Sequence, residues 1–301
     1  MREHMKILIA VDGSKFSRMA IEFIASRDTL IRSNPDIQVL NVRWPLPAHP
    51  ARIVGLPVVR EYYGDEAGKI LRPARKRLQK AGLNPTVRFA VGPAASEISA
   101  AADKDNVDLL VLGSHGHSAL GGLLLGSVTN EVLARTKRAM LIVRGKAKPY
   151  TDSLRVGIAV DGSRYGLQAL RYVLRHLDLF GANPRLTVIH VVQDYYAFNA
   201  LPVAEAIPLP AFSESEVRAF QNKAYEDAMK SARALLRKDG IKADEARLIG
   251  NAGDELSAYA NKNLDLLVLG SHGYGAFKAA IMGSVAMRVT ARCKMPLLLV
   301  R

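Results

Sequence analysis

Cysteine is almost missing from this chain: Cys293 stands alone in 301 residues. A single thiol cannot close an intramolecular disulfide, so the fold must rest on packed cores, and nothing marks an oxidising compartment. Cys293 reads as a buried, inert thiol ahead of a reactive one. Long apolar runs are missing too, with none approaching the roughly 20 residues of a membrane helix. The opening "MREHMKILIAVDGSK" is too short in apolar residues for a signal segment, because "ILIAV" runs straight into Asp12 and Gly13. These shortages predict a cytoplasmic protein with no membrane partner. Acidic residues are the third shortage, 28 against 42 basic ones, which leaves a net charge of +14.

The basic excess invites a nucleic-acid reading. Of the +14, +10 lies before residue 151, and "RPARKRLQK" at 72–80 concentrates it. That segment reads as one side of a helix with Leu71 and Leu78 turned inward. A solvated face is the plainer account, and a patch for nucleic acid or an acidic membrane is the other. No aromatic residues interleave with the charges and no nucleic-acid motif lies nearby, so nucleic acid is not the expected partner.

What is present is an ordinary globular balance, 49% hydrophobic and 23% charged, at a length that suits two domains. The chain is one unit written twice. "ILIAVDGSKFS" at 7–17 returns as "VGIAVDGSRYG" at 156–166, "VDLLVLGSHG" at 107–116 as "LDLLVLGSHG" at 264–273, and "AMLIVR" ending at 144 as "PLLLVR" ending at 301. The linker lies near "GKAKPYTDS", giving domains 1–148 and 149–301. In each unit short apolar runs alternate with helical patterns, which predicts an α/β fold with a parallel sheet covered on both faces. The expected strands are 6–11, 37–42, 86–90, 108–112 and 140–144, then 155–160, 185–192, 245–249, 265–269 and 297–301. After the first strand, Phe16, Met19, Ala20, Phe23 and Ile24 fall on one helical stripe, with Ser14 placed to cap it. Long Pro-containing loops follow the second strands, "WPLPAHPARIVGLP" and "NALPVAEAIPLP", either lids or mobile insertions. Helices are expected at about 65–82 and about 214–239.

Ligands of open parallel sheets bind at the carboxyl ends of the strands, where strand order reverses. Gly113 and Gly270 stand at such ends. Glycine permits positive φ and close backbone approach, so Gly113 and Gly116 could bare their amides to an oxyanion. Gly126 and Ser127 then open "SVTNEVLARTK", a helix whose N-terminus suits a phosphate. The alternative is that the glycines only turn the chain and Ser127 only caps the helix. Neither a Walker loop nor a dinucleotide fingerprint is present, since no Gly-Lys-Ser or Gly-Lys-Thr occurs and the glycines follow a late strand.

Gly113, Gly116, Gly126 and Ser127, and again Gly270, Gly273, Gly283 and Ser284, each follow "DLLVLG" and pair with an upstream "AVDGS". In that pattern the chain resembles, end to end, the universal stress protein family in tandem form. A glycine, two residues, a glycine, nine residues, then glycine and Ser or Thr mark the members that bind ATP. The resemblance implies two tandem five-stranded Rossmann-like domains of the adenine nucleotide alpha hydrolase kind. It implies ATP with Mg2+ as ligand and a nucleotide-dependent sensor or regulator of stress, with at most slow hydrolysis. By position, Asp12 and Asp161 lie against the adenosine part, although each also suits a turn before a helix. Val42 and Val191 meet adenine through backbone groups. Gly113, Gly116, Gly126, Ser127 and Val128 hold ribose and phosphates, as do Gly270, Gly273, Gly283, Ser284 and Val285. The last strands are expected to pair, making a pseudo-dimer of the two domains, with a further homodimer left open. His117 and Tyr274 depart from the basic residue usual after the second glycine, and Ala139 replaces the proline kept at Pro296. His115 and His272 read as loop-shaping or phosphate-touching residues ahead of general bases. A nucleotide-independent scaffold and a true ATPase remain the alternatives.

Overall fold

The computed structural model describes residues 4–47, 55–115, 125–145, 153–194, 213–272 and 282–301. The strands are β1 (Lys6–Ala10), β2 (Asp36–Arg43), β3 (Thr86–Val91), β4 (Leu109–Gly113) and β5 (Ala139–Val143), then β6 (Arg155–Ala159), β7 (Arg185–Val192), β8 (Asp244–Ile249), β9 (Leu266–Gly270) and β10 (Leu297–Val300). All ten join one sheet in the order β3-β2-β1-β4-β5-β10-β9-β6-β7-β8. Within each half the pairs are parallel. At the centre β10 runs antiparallel to β5, with Leu297 opposite Ile142 and Leu299 opposite Met140. The expected pairing of the last strands is therefore made inside one chain.

The helices are α1 (Lys15–Ala25), α2 (Asp28–Arg32), α3 (Leu56–Lys80), α4 (Ala94–Lys104) and α5 (Ser127–Arg135), followed by α6 (Arg164–Arg175), a 3-10 turn (Leu177–Phe180), α7 (Glu214–Asp239), α8 (Ala252–Asn263) and α9 (Ser284–Arg292). Because strand side chains alternate between faces, β1 splits its apolar residues between two cores. Ile7 and Ile9 pack with Phe23, Ile24 and Leu78 under α1 and α3, while Leu8 and Ala10 pack with Ile98 and Val132 under α4 and α5. Both cores continue through β5 and β10 into the second half, so the sheet is buried on both sides across the junction.

Strand boundaries fall within one residue of the expected ones, since a run buried on both faces is legible locally. The long helix of the first half is different: it begins at Leu56, not near residue 65. Pro57, read as part of the loop, sits in the first turn, where its missing N–H costs nothing. Leu71 and Leu78 do face inward. Arg77 donates to both carboxylate oxygens of Glu22 on α1 at 2.6 and 2.8 Å, while Arg72, Arg75 and Lys76 are exposed. The loop "NALPVAEAIPLP" and the expected boundary between residues 148 and 149 lie outside the described residues. Among the described residues no helix is long and apolar enough to cross a membrane.

Candidate functional site

Strand order reverses between β1 and β4, and the chain builds a cleft at their carboxyl ends from three backbone features. The first is the turn into α1. Asp12 Oδ1 accepts the Ser14 amide at 2.9 Å, Gly13 takes φ of 83°, and Ser14 caps the helix by accepting from Ser17 N. Gly13 is thus where "AVDGS" requires glycine. The second half repeats the turn: Asp161 Oδ1 accepts from Ser163 N at 3.0 Å, Gly162 has φ of 79°, and Ser163 caps α6.

The second feature is the close crossing of that helix over the end of β4. A Cβ on Gly113 would lie 2.7 Å from Phe16 Cβ and 2.8 Å from the Phe16 backbone carbon. On Gly270 it would lie 2.9 Å from the Tyr165 backbone carbon. Neither glycine uses positive φ, so the freedom expected from the sequence is corrected to a requirement for space. Phe16 itself leaves the apolar stripe expected of it. It lies half-buried over the carboxyl end of β4, its ring 5.3 Å from that of His115, as Tyr165 lies 5.4 Å from His272.

The third feature is the start of α5. Gly126 and Gly283 are the N-cap residues of α5 and α9, with extended backbone and no side-chain cap bond. Ser127 and Ser284 occupy the first helical positions and are exposed, so the capping role weighed for Ser127 is corrected. Four other helices, α1, α6, α7 and α8, are capped by a side-chain oxygen of Ser14, Ser163, Ser213 and Asn251, whereas α2, α3 and α4 also lack a side-chain cap; what sets Gly126 and Gly283 apart is their place beside the end of β4 and β9. An uncapped helix start keeps its first amides and its partial positive charge available to an anion.

Asp12, Val42, Gly113, Gly126, Ser127 and Val128 line a single cleft of about 300 Å³. That is the lower end of the range for ligand pockets, about 300–1,000 Å³. The fold brings these six together. Gly116 and Gly273, with His117 and Tyr274, lie outside the described residues. In the second half Asp161 follows β6, Val191 lies in β7, Gly270 ends β9, and Gly283, Ser284 and Val285 open α9, each in the register of its counterpart. Sequence reasoning missed Ala94 and Ile98 of α4 and Ser17 of α1, which also line the cleft. It also missed Thr129, whose hydroxyl donates to Gly113 O at 2.9 Å and ties α5 to the end of β4.

His115 Nδ1 meets Ser114 Oγ at 3.0 Å, and His272 Nδ1 meets Ser271 Oγ at 2.9 Å, so the preceding serine orients each ring. Cys293 is fully buried, and burial pushes its thiol up to about 11, which suits the inert role. Among the described residues no cluster of three His, Cys, Asp or Glu side chains is placed to hold a metal ion.

The model of the universal stress protein family matches residues 3–144 and again 154–301. Universal stress protein YxiE of Bacillus subtilis is 30% identical over 147 residues, covering 46% of this chain and 98% of its own. Universal stress protein Rv2623 of Mycobacterium tuberculosis is 22% identical over 302 residues, covering 98% of this chain and 96% of its own. A crystal structure of a universal stress protein from Archaeoglobus fulgidus superposes with a TM-score of 0.72 at 20% identity, covering 98% of each chain.

Proposed function

The chain belongs to the universal stress protein family, twice over, and from that premise we propose that it binds ATP in each half and acts as a nucleotide-dependent regulator. The observation that carries the reading is the pair of uncapped helix starts, at Gly126 and Gly283, set beside a strand-end glycine in each half. The amides of residues 127 and 128, and of 284 and 285, supply donors for phosphate oxygens. Val42 and Leu40 would offer the base an apolar wall, and Asp12, which lines the same cleft, would accept from a ribose hydroxyl. Mg2+ fits only with its nucleotide: Asp12 is the one carboxylate among the described residues lining the cleft, so phosphate oxygens would supply most of the coordination.

The reading assigns binding ahead of turnover. Each loop histidine meets the preceding serine hydroxyl through Nδ1, a contact that suits a loop-shaping or phosphate-touching role. Regulation then follows from a difference in nucleotide affinity between two states, with no need for hydrolysis. The test is the nucleotide content of freshly purified protein, released by denaturation and counted per chain. ATP at one to two equivalents is expected, falling by one on Ser127→Glu. Protein that is empty and takes up no added Mg-ATP would refute the reading, and ADP in place of ATP would turn it toward hydrolysis.

A further inference from the structure

The residue that ends each half's last strand motif crosses to the other half. Arg144, directly after β5, donates from Nη1 to the carbonyl of Cys293 at 2.6 Å, and Cys293 is the C-cap of α9. Arg301, directly after β10, donates to the carbonyl of Leu133 in the last turn of α5. The two contacts span 149 and 168 residues of sequence and run from equivalent arginines to the same end of equivalent helices, although Leu133 lies one turn before Thr136, the counterpart of Cys293. Each cation therefore sits at the C-terminal end of the opposite half's helix, the end whose partial charge is negative. The N-terminal ends of those helices are the uncapped starts described above.

Arg144 is 4% exposed, and among the described residues no carboxylate pairs with it. Burial pulls its guanidinium down to about 10, so it remains charged at neutral pH. A buried, unneutralised cation is costly unless local dipoles compensate it, and the end of α9 is the compensating group. The preceding residue faces the other way. Val143 O accepts the amide of Ser114 at 2.9 Å, which fixes the loop just after Gly113, and Val300 O does the same for Ser271 at 2.8 Å. One peptide unit thus joins the loop of one site to the far end of the helix that opens the other.

We propose that Arg144 and Arg301 are positioning residues that couple the two sites: an anion at the start of α9 orders, through Arg144, the loop behind Gly113, and an anion at the start of α5 orders, through Arg301, the loop behind Gly270. The proposal rests on the reading that both sites take a nucleotide. Anion at one helix end and cation at the other stabilise the same helix, so the coupling is positive. By reciprocity each site tightens the other by the same factor, about fivefold as the lower end of ordinary coupling.

Hydrogen exchange on the full chain tests this in two arms. Without nucleotide, Arg144→Met is expected to speed exchange in 109–115 and 284–292 while leaving 127–135 and 266–272 as they were. Arg301→Met is expected to do the reverse, and Arg144→Lys, which keeps the charge, to restore most of the protection. Both variants loosening both halves alike, or neither loosening anything, would overturn the link, because a merely structural arginine has no crossed pattern. In the second arm, Mg-ATP is added to Ser127→Glu protein, in which only the second site is open. Protection is expected to rise in 284–292 and, across the junction, in 109–115, the latter being lost with Arg144→Met. A rise in 284–292 alone overturns the coupling. A rise in neither overturns the nucleotide reading instead, and the nucleotide-free crossover then decides the link by itself.

Discussion

In the first half the helix that opens the cleft is tied to the strand beneath it, through Thr129 and the Gly113 carbonyl. In the second half Ala286 stands in that place and the helix is tied sideways. Arg288 and Arg292 of α9 both reach Asp254 in the first turn of α8, the former at 2.8 Å. The corresponding pair in α5, Glu131 and Arg135, closes on itself within the helix. Further along, Asn41 donates to Val11 O at 2.7 Å where His190 Nδ1 meets Val160 O at 2.8 Å. The backbone plan is common to both halves and the side chains that steady it are not. Two sites with one geometry can therefore differ in stiffness, and so in affinity, without any change in the glycines.

The largest effect is expected where the halves agree. Gly113→Val and Gly270→Val each force a side chain against helix backbone, and each should cost about 3 kcal/mol or more. Thermal unfolding of the two variants should give similar losses; a loss confined to one would break the equivalence at the strand ends. Next comes the point of difference. Thr129→Ala makes the first half resemble the second and removes one partly buried hydrogen bond, at a cost of about 1 kcal/mol. Denaturant unfolding should show that cost, and ATP titration should show a larger loss at the first site than at the second. Equal losses at both sites would mean that the Thr129 tie does not set local stiffness.

The smallest effect concerns the junction. Phe23 of α1 and Arg27, which follows that helix, correspond to Tyr172 of α6 and His176, its C-cap; the Arg27 guanidinium lies over the Phe23 ring at 4.2 Å, and the His176 ring meets the Tyr172 ring tilted, with centroids 4.6 Å apart. Burial pulls His176 below its ordinary 6.5, against the opposing pull of Asp108 and Asp178, with Arg175 acting alongside burial. Tyr172 also faces this group and donates to Asp108 O at 3.0 Å. A histidine depressed in the native state binds its proton more readily when unfolded, so stability should fall as pH drops below about 6.5 and should be flat above it. Arg27, lowered only to about 10, does not titrate in that range. A His176→Gln variant should lose the part of the acid slope near pH 6; an unchanged slope would place it elsewhere.

Much of this was legible in the sequence, for reasons that also explain what was not. Runs such as "LDLLVLG" are apolar because both faces of the strand are covered, and that condition is visible without any partner. The two "AVDGS" turns carry their own Asx bond and glycine, again a local device. Gly113 was legible as important and misread in its reason, because its neighbour Phe16 lies 97 residues earlier in the chain and the contact leaves no local pattern. Phe16 was placed on the core stripe because periodicity does not say where the sheet ends. The start of α3 was missed because a proline in a loop and a proline in a first turn look alike. Ala94 and Ile98 bear no chemistry that would mark them as a wall of the cleft. The crossed contacts of Arg144 and Arg301 were hidden altogether, since an arginine that follows a strand shows no partner until the opposite half is in view.

The antiparallel seam of β5 and β10 has one more consequence, for how the molecule responds to dilution. Partners that meet across such a seam as separate chains would part as concentration falls, whereas here they share one backbone. The association is first order, and its midpoint of unfolding is independent of protein concentration as far as this seam is concerned. The stoichiometry of the two cradles is likewise fixed at one of each kind, so a mixed pair can be inherited intact. Residues on the two sides of the seam are then free to diverge separately, as Arg27 and His176 have done.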